Sequence, residues 1–325
     1  MSSVKHQYLL QLPGDLQILL QLPSPLFADP AACVLLAAYL PGVELIDLTD
    51  KRAEELVTIS LRQSSKAKLS VSRNANTYTL FAESASEAAL MDLIFLTYGV
   101  ARQKWLRQGI YCVHAACLED TQQRLSLLVG HSGVGKTAVT LSSLARGHKV
   151  FSGNRTLVKF AGAENGAGSD TVVTIVAIAG TRTITTKAED LARHLPNALQ
   201  EDEQKDQQDE QVAYQGRSAF TLSPRFYADP TPQVVTAITL PRLNDGAEKA
   251  KQLSALSALH KLYPYFLDAV NADIVLAGGR IVFSGAPPSG VGRRLANELS
   301  LALTHLPVWE LEGSLPFINH TLEEI

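Results

Sequence analysis

The run Gly130-His-Ser-Gly-Val-Gly-Lys-Thr137 restricts the local fold more than any other part of this chain. It satisfies G-x-x-x-x-G-K-[ST], with an apolar strand expected over Leu125–Val129 and a helix expected after it, through Ala145 to a stop at Gly147. Glycine lets the backbone curl until successive N–H groups face inward as an anion nest. The helix start adds partial positive charge. Lys136 supplies a point charge for β- and γ-phosphates, and the Thr137 hydroxyl suits a Mg2+ ion that keeps most of its waters. The pattern predicts that Gly130, His131, Ser132, Gly133, Val134, Gly135, Lys136, Thr137 and Ala138 cradle the phosphates of ATP or another nucleoside triphosphate.

With 325 residues, 46% hydrophobic and 19% charged, the chain can bury a sizeable core as one large domain or two ordinary ones. A net charge of −3 argues against bulk affinity for nucleic acid or an anionic membrane. Ala88–Ala101, the most apolar stretch, is interrupted by Asp92 and too short to span a bilayer, so it reads as a core helix. Cys33, Cys112 and Cys117 form neither a disulfide framework nor a zinc spacing. Together with an N-terminus that lacks an uninterrupted apolar run, they lead to the expectation of a cytoplasmic protein.

Residues 1 to about 83 read as a small α+β module of short strands, with one helix near Ala31–Tyr39. Ser84-Ala-Ser-Glu87 has a capping-box pattern and opens a helix to about Gln108 that joins this module to the rest of the chain. The expected division is 1–108 and 109–325. In the second part Ile110–Asp120 reads as one strand, and the Ala161–Ser169 stretch as a loop. Thr171–Gly180 reads as a buried strand, Glu248–Leu262 as a helix and Ile274–Gly285 as a hairpin. Val291–His305 reads as a helix and Val308–Gly313 as the last strand. The polar run Gln200–Gln211 reads as a solvated loop or a lid.

His114-Ala-Ala lies one strand upstream of the loop, and Leu144-Ala-Arg-Gly-His148-Lys-Val closes its helix. This arrangement resembles the HPr kinase/phosphorylase family, whose fold is shared with phosphoenolpyruvate carboxykinase. The likeness runs roughly from Gly109 to the C-terminus, most clearly through Phe151, and returns over Ala296–Leu311. It implies an α/β fold, an HPr-kinase/PEP-carboxykinase-like P-loop domain behind the N-terminal α+β module. It also implies an active-site histidine at His114. Where the family carries Asp-Asp, this chain has Gly153-Asn154, and at the family's Glu-Ile-Arg-Gly it has Ala177-Ile-Ala-Gly180. A neutral Asn154 cannot act as a carboxylate base, though its carbonyl can join Thr137 on a metal. Asp170, Glu189, Asp190 and Asp273 are the candidate substitute acids. Arg155 and Arg182 are candidates to grip a transferring phosphate, against plain surface roles. His131 should face outward, and His148 should be structural at a helix C-terminus that favours a cation.

A second Ser-Gly-Val-Gly occurs in Ala286-Pro-Pro-Ser-Gly-Val-Gly-Arg-Arg294. Pro287 replaces the first glycine of the pattern and has no N–H to offer, so this is not a second nucleotide site. It is either a helix cap or, through Arg293 and Arg294, a substrate anion site. The chain is therefore expected to be an ATP- and Mg2+-dependent kinase acting on a hydroxyl of a small molecule or peptide. A peptide acceptor would go with an exposed groove and a homo-oligomer. The alternative is a nucleotide-binding sensor or scaffold without transferase activity. No Walker B aspartate ends Ile175–Gly180 or Ile238–Leu243, which disfavours a motor or GTPase.

Overall fold

The computed structural model describes residues 6–47, 56–64, 70–84, 86–162, 172–195 and 218–325. The run 200–211, most of the loop after Ala161 and Asp170 lie outside the described residues. The chain is mixed α/β and divides into two compact units. One is Met1–Gln108 with Asn271–Pro287; the other is Gly109–Val270 with Pro288–Ile325.

In the first unit, alternating apolar runs form a six-stranded sheet in the order Glu44–Asp47, His6–Leu12, Leu16–Leu22, Val57–Gln63, Thr77–Ala82, Ser70–Asn74. Period-two burial explains the strands: Leu10, Leu12, Ile18, Leu20 and Ile59 are interior. The helix Glu87–Arg107 is capped by Ser86, whose Oγ accepts the Ala89 N–H at 3.3 Å, two residues later than the capping box placed it. Trp105, fully buried on this helix, donates Nε1–H to Pro13 O at 2.9 Å.

The hairpin Ile274–Phe283 belongs to this unit and not, as sequence order suggested, to the second. Two features of the long helix hold it. Gly99 leaves room for Ile274, since a Cβ there would lie 2.8 Å from Ile274 Cγ2. Buried Asp92 accepts the Ala277 N–H at 3.0 Å, and burial holds its carboxyl above the usual range.

The second unit is built on the eleven-residue strand Gln233–Leu243. It runs parallel to Leu125–Val129 on one side and to Val308–Gly313 on the other. The whole sheet runs Lys149–Ser152, Ala115–Glu119, Leu125–Val129, Gln233–Leu243, Thr174–Gly180, Thr156–Ala161, Ile110–Val113, with Val308–Gly313 and Lys249–Gln252 branching off. Ile110–Asp120 is thus two strands broken at His114, which pair with different partners. Thr156 Oγ1–H donates to Ala115 O at 2.9 Å across that break. Thr174–Gly180 alternates half-buried and buried residues before its buried end at Ala179-Gly180, so it is not wholly interior.

The helix Lys136–Leu144 buries Val139, Leu141 and Leu144 against Leu118, Leu128 and Val150. Each such side chain stabilises by about 1.5–3 kcal/mol. On it packs a helix that the sequence patterns did not predict, Leu315–Glu324, through Ile318 and Leu322. Buried Asn319 donates Nδ2–H to Ser142 Oγ at 2.6 Å and accepts from Ser143 Oγ at 3.5 Å.

Glu248–Leu262 is not one helix: Lys249–Gln252 pairs with Val308–Gly313, and the helix spans Ala255–Ala269. An open strand edge recruited those residues, and pairing outweighed the high helix propensity of Lys249-Ala-Lys-Gln252. The helix read as Val291–His305 ends at Ala302.

Candidate anion site around the glycine loop

The loop between Val129 and Lys136 needs glycine on geometric grounds. Gly133 has φ +88° and Gly135 φ +102°, left-handed values that side chains avoid. A Cβ on Gly135 would also lie 2.4 Å from Leu243 Cγ. Leu243 backs the loop a second way, donating its N–H to Val134 O at 3.1 Å. The long central strand therefore braces the loop with its last residue. The helix beyond the loop starts from Gly135 with no side-chain cap, so its first amides are left for another acceptor.

Lys136 is buried, and its Nζ donates to Gly130 O at 2.5 Å and to His131 O at 3.0 Å. The ammonium is thereby held over the loop. The Thr137 hydroxyl stands one residue on, at the half-buried start of the helix.

His114, at the strand break, donates Nε2–H to Asn154 Oδ1 at 2.9 Å. The sequence singled out both residues, and the structure brings them together. Its ring reaches solvent, yet surrounding protein desolvates it and the cations Lys136 and Arg155 face it, with His131 adding a smaller effect. These push its pKa down to about 4, so the imidazole is neutral at pH 7. Among the described residues no carboxylate contributes to that shift. The basic groups therefore share one electrostatic neighbourhood, and it is anion-seeking.

Asn154 and Arg155 are placed by Thr181, which sequence reasoning passed over. Its buried Oγ1 accepts the N–H of Asn154 at 3.0 Å and of Arg155 at 3.1 Å, while its own N–H donates to Arg155 O at 3.0 Å. The carbonyl of Thr181 accepts Gly153 N–H at 2.8 Å. This contact requires Gly153 and Gly180 to be small: a Cβ on Gly153 would lie 2.1 Å from Thr183 O, and one on Gly180 2.3 Å from Ser152 Cβ. The signal available in the sequence was the Ala-Gly-Thr turn itself, Ala179-Gly180-Thr181.

Arg182 is engaged elsewhere. Its guanidinium lies 4.6 Å over the Tyr227 ring and donates to Ala228 O at 3.5 Å, and it does not act on His114. Arg294 is likewise occupied, donating Nε–H to Tyr111 Oη at 3.4 Å beside Glu298. Arg293 is exposed. Within the second Ser-Gly-Val-Gly, Gly290 is left-handed at φ +77° and precedes the helix Val291–Ala302 without a side-chain cap. His148 is buried and its pKa is lowered, first by burial, so it is a neutral interior group and not a cation at the helix end.

Of the substitute acids, Asp273 sits in the other unit, where Oδ1 accepts the Gly285 N–H at 3.1 Å. Glu189 and Asp190 open the short helix Ala188–His194 and do not act on His114. Among the described residues no three His, Cys, Asp or Glu side chains converge on a metal position. A Mg2+ ion here would rest on Thr137, the Asn154 carbonyl and ligand phosphates. That hard-oxygen donor set fits the ion only together with its anion.

The depressed His114 pKa has two consequences. Because folding releases the proton, stability is full above the ordinary value near 6.5, falls as pH drops toward about 4, and is flat below that. A bound polyphosphate reverses the local charge and should raise the pKa. A proton NMR titration of the His114 ring should show a midpoint near 4 in the free protein and a higher one with pyrophosphate. A midpoint that pyrophosphate leaves in place contradicts the assignment.

No family model matches this chain, and no curated protein does. Among the described residues no helix is long and apolar enough to cross a membrane.

Proposed function

We propose that this chain is a P-loop phosphotransferase of the HPr-kinase-like type. It binds a magnesium nucleoside triphosphate such as ATP at Gly130–Thr137 and transfers its terminal phosphoryl group to a hydroxyl of a small molecule or peptide. One observation carries the reading: two left-handed glycines, an uncapped helix start and buried Lys136 stand together with His114 and Arg155, with no carboxylate among the described residues acting on His114. The arrangement suits a multiply charged anion and nothing cationic.

In this reading the nucleotide supplies the phosphoryl group. Lys136 exchanges its two carbonyl partners for β- and γ-phosphate oxygens, and the loop amides hold the chain of phosphates. Arg155, fixed through Thr181, balances charge that builds on the transferred group. Neutral His114 orients Asn154, whose carbonyl would help to hold Mg2+ when the nucleotide brings it. Phosphoryl transfer runs through a loose transition state, so positioning and charge balance can act without a strong base.

A second reading, nucleotide binding without transfer, is favoured by one specific observation. Asn154 stands where a base is required and is tied to His114, and among the described residues no carboxylate acts on that histidine. Purified protein incubated with Mg·ATP and a panel of hydroxyl compounds and serine peptides separates the two. Sustained ADP formation that depends on an acceptor supports transfer. Tight binding with no turnover leaves the sensor reading, and no binding removes both.

A further inference from the structure

The first unit carries a concentration of positive charge that the nucleotide reading does not use. A surface basin lies between the hairpin Ser70–Ala82 and the helix Glu87–Arg107. The helix contributes Gln103, Lys104 and Arg107, which with Val100 share one face at i, i+3, i+4 and i+7. The sheet contributes Arg73, Asn76 and Tyr78. No lining side chain is acidic, and among the described residues none of the three cations is paired with a carboxylate.

We propose that this basin binds the phosphate group of a small molecule, gripped by Arg73, Lys104 and Arg107. The case is electrostatic and geometric. Three like charges in one depression repel one another, and only a multivalent anion turns that cost into attraction. Lys104 registers the repulsion: burial, then Arg107, then Arg73 hold its ammonium below the ordinary value. Arg73 is prearranged, with Nε–H donating to Ala75 O at 3.4 Å and the guanidinium 5.3 Å over the Tyr78 ring. That leaves its two terminal nitrogens for the bidentate grip a phosphate accepts. Asn76 adds an amide from the turn, where Ala75 is left-handed at φ +49°.

The site is independent of the glycine loop, so its test must read Lys104 itself. Lysine acetylation of the full chain, quantified by mass spectrometry, should show Lys104 protected about tenfold by saturating inorganic phosphate or glycerol phosphate. Exposed Lys149 and Lys251 serve as unprotected references. The double variant Arg73→Gln/Arg107→Gln should lose the protection, whereas Arg73→Lys, which keeps the charge, should retain part of it. Equal protection by the two compounds identifies free phosphate as sufficient; protection at lower concentration by the ester identifies an organic phosphate. Lys104 labelling that neither compound slows, or protection unchanged in the double variant, overturns the proposal.

Discussion

Lys136→Ala is expected to weaken Mg·ATP binding on the order of 100-fold while leaving the protein folded. Two charge-assisted hydrogen bonds to phosphate oxygens account for that size, at about 1.5–3 kcal/mol each before desolvation is set against them. The position justifies a large effect, because the Lys136 side chain is buried and already fixed by Gly130 O and His131 O. Little ordering entropy remains to be lost when the carbonyls are exchanged for a ligand. Lys136→Arg should rescue poorly, since a planar fork does not fit where a compact ammonium sits between two carbonyls. Isothermal titration gives the affinity and a thermal melt checks the fold. Equal affinity in Lys136→Ala and the unaltered chain removes the phosphate-gripping role from this loop.

Gly153→Ala should act in the opposite sense, on the fold first and on the site through it. The new methyl would lie 2.1 Å from Thr183 O and 3.0 Å from Ile184 Cδ1. The first of these is backbone and cannot swing aside. The turn Ser152–Arg155 must move, which strains the Gly153 N–H bond to Thr181 O and both amide contacts to Thr181 Oγ1. Overpacking of this kind costs about 3 kcal/mol. Thermal melting should fall by roughly 6–12 °C for a unit of this size. Asn154 would leave His114 at the same time, so ligand affinity should drop even below the melting point. Gly278→Ala is the matched control, because a Cβ there meets nothing within 4 Å. A Gly153→Ala protein that melts with the control would show that the turn yields without cost.

The two substitutions separate what the sequence contains from what it does not. Local patterning located the glycine loop, its strand and its helix, because a turn with left-handed residues admits glycine and little else, and because capping and periodicity act over four or five neighbours. The same local rules found most strands of the first unit, though not the edge strand Glu44–Asp47, and the long helix to Arg107. That His114 and Asn154 stand beside Lys136 was not a local rule's result but an expectation drawn from the family resemblance.

Tertiary structure decided the rest. Lys249–Gln252 became a strand because an edge elsewhere in the chain was open. Ile274–Phe283 joined the first unit because Gly99 and Asp92 receive it. Thr181 outranks Arg182 at the site because two backbone amides, twenty-six and twenty-seven residues upstream, converge on its hydroxyl. Arg182 and Arg294 were drawn to Tyr227 and Tyr111, partners that no spacing rule could nominate. The physical reason is common to all of these. Conformational preference is a short-range property that a sequence carries in each residue, whereas contacts between distant segments depend on which surfaces the folded chain leaves available.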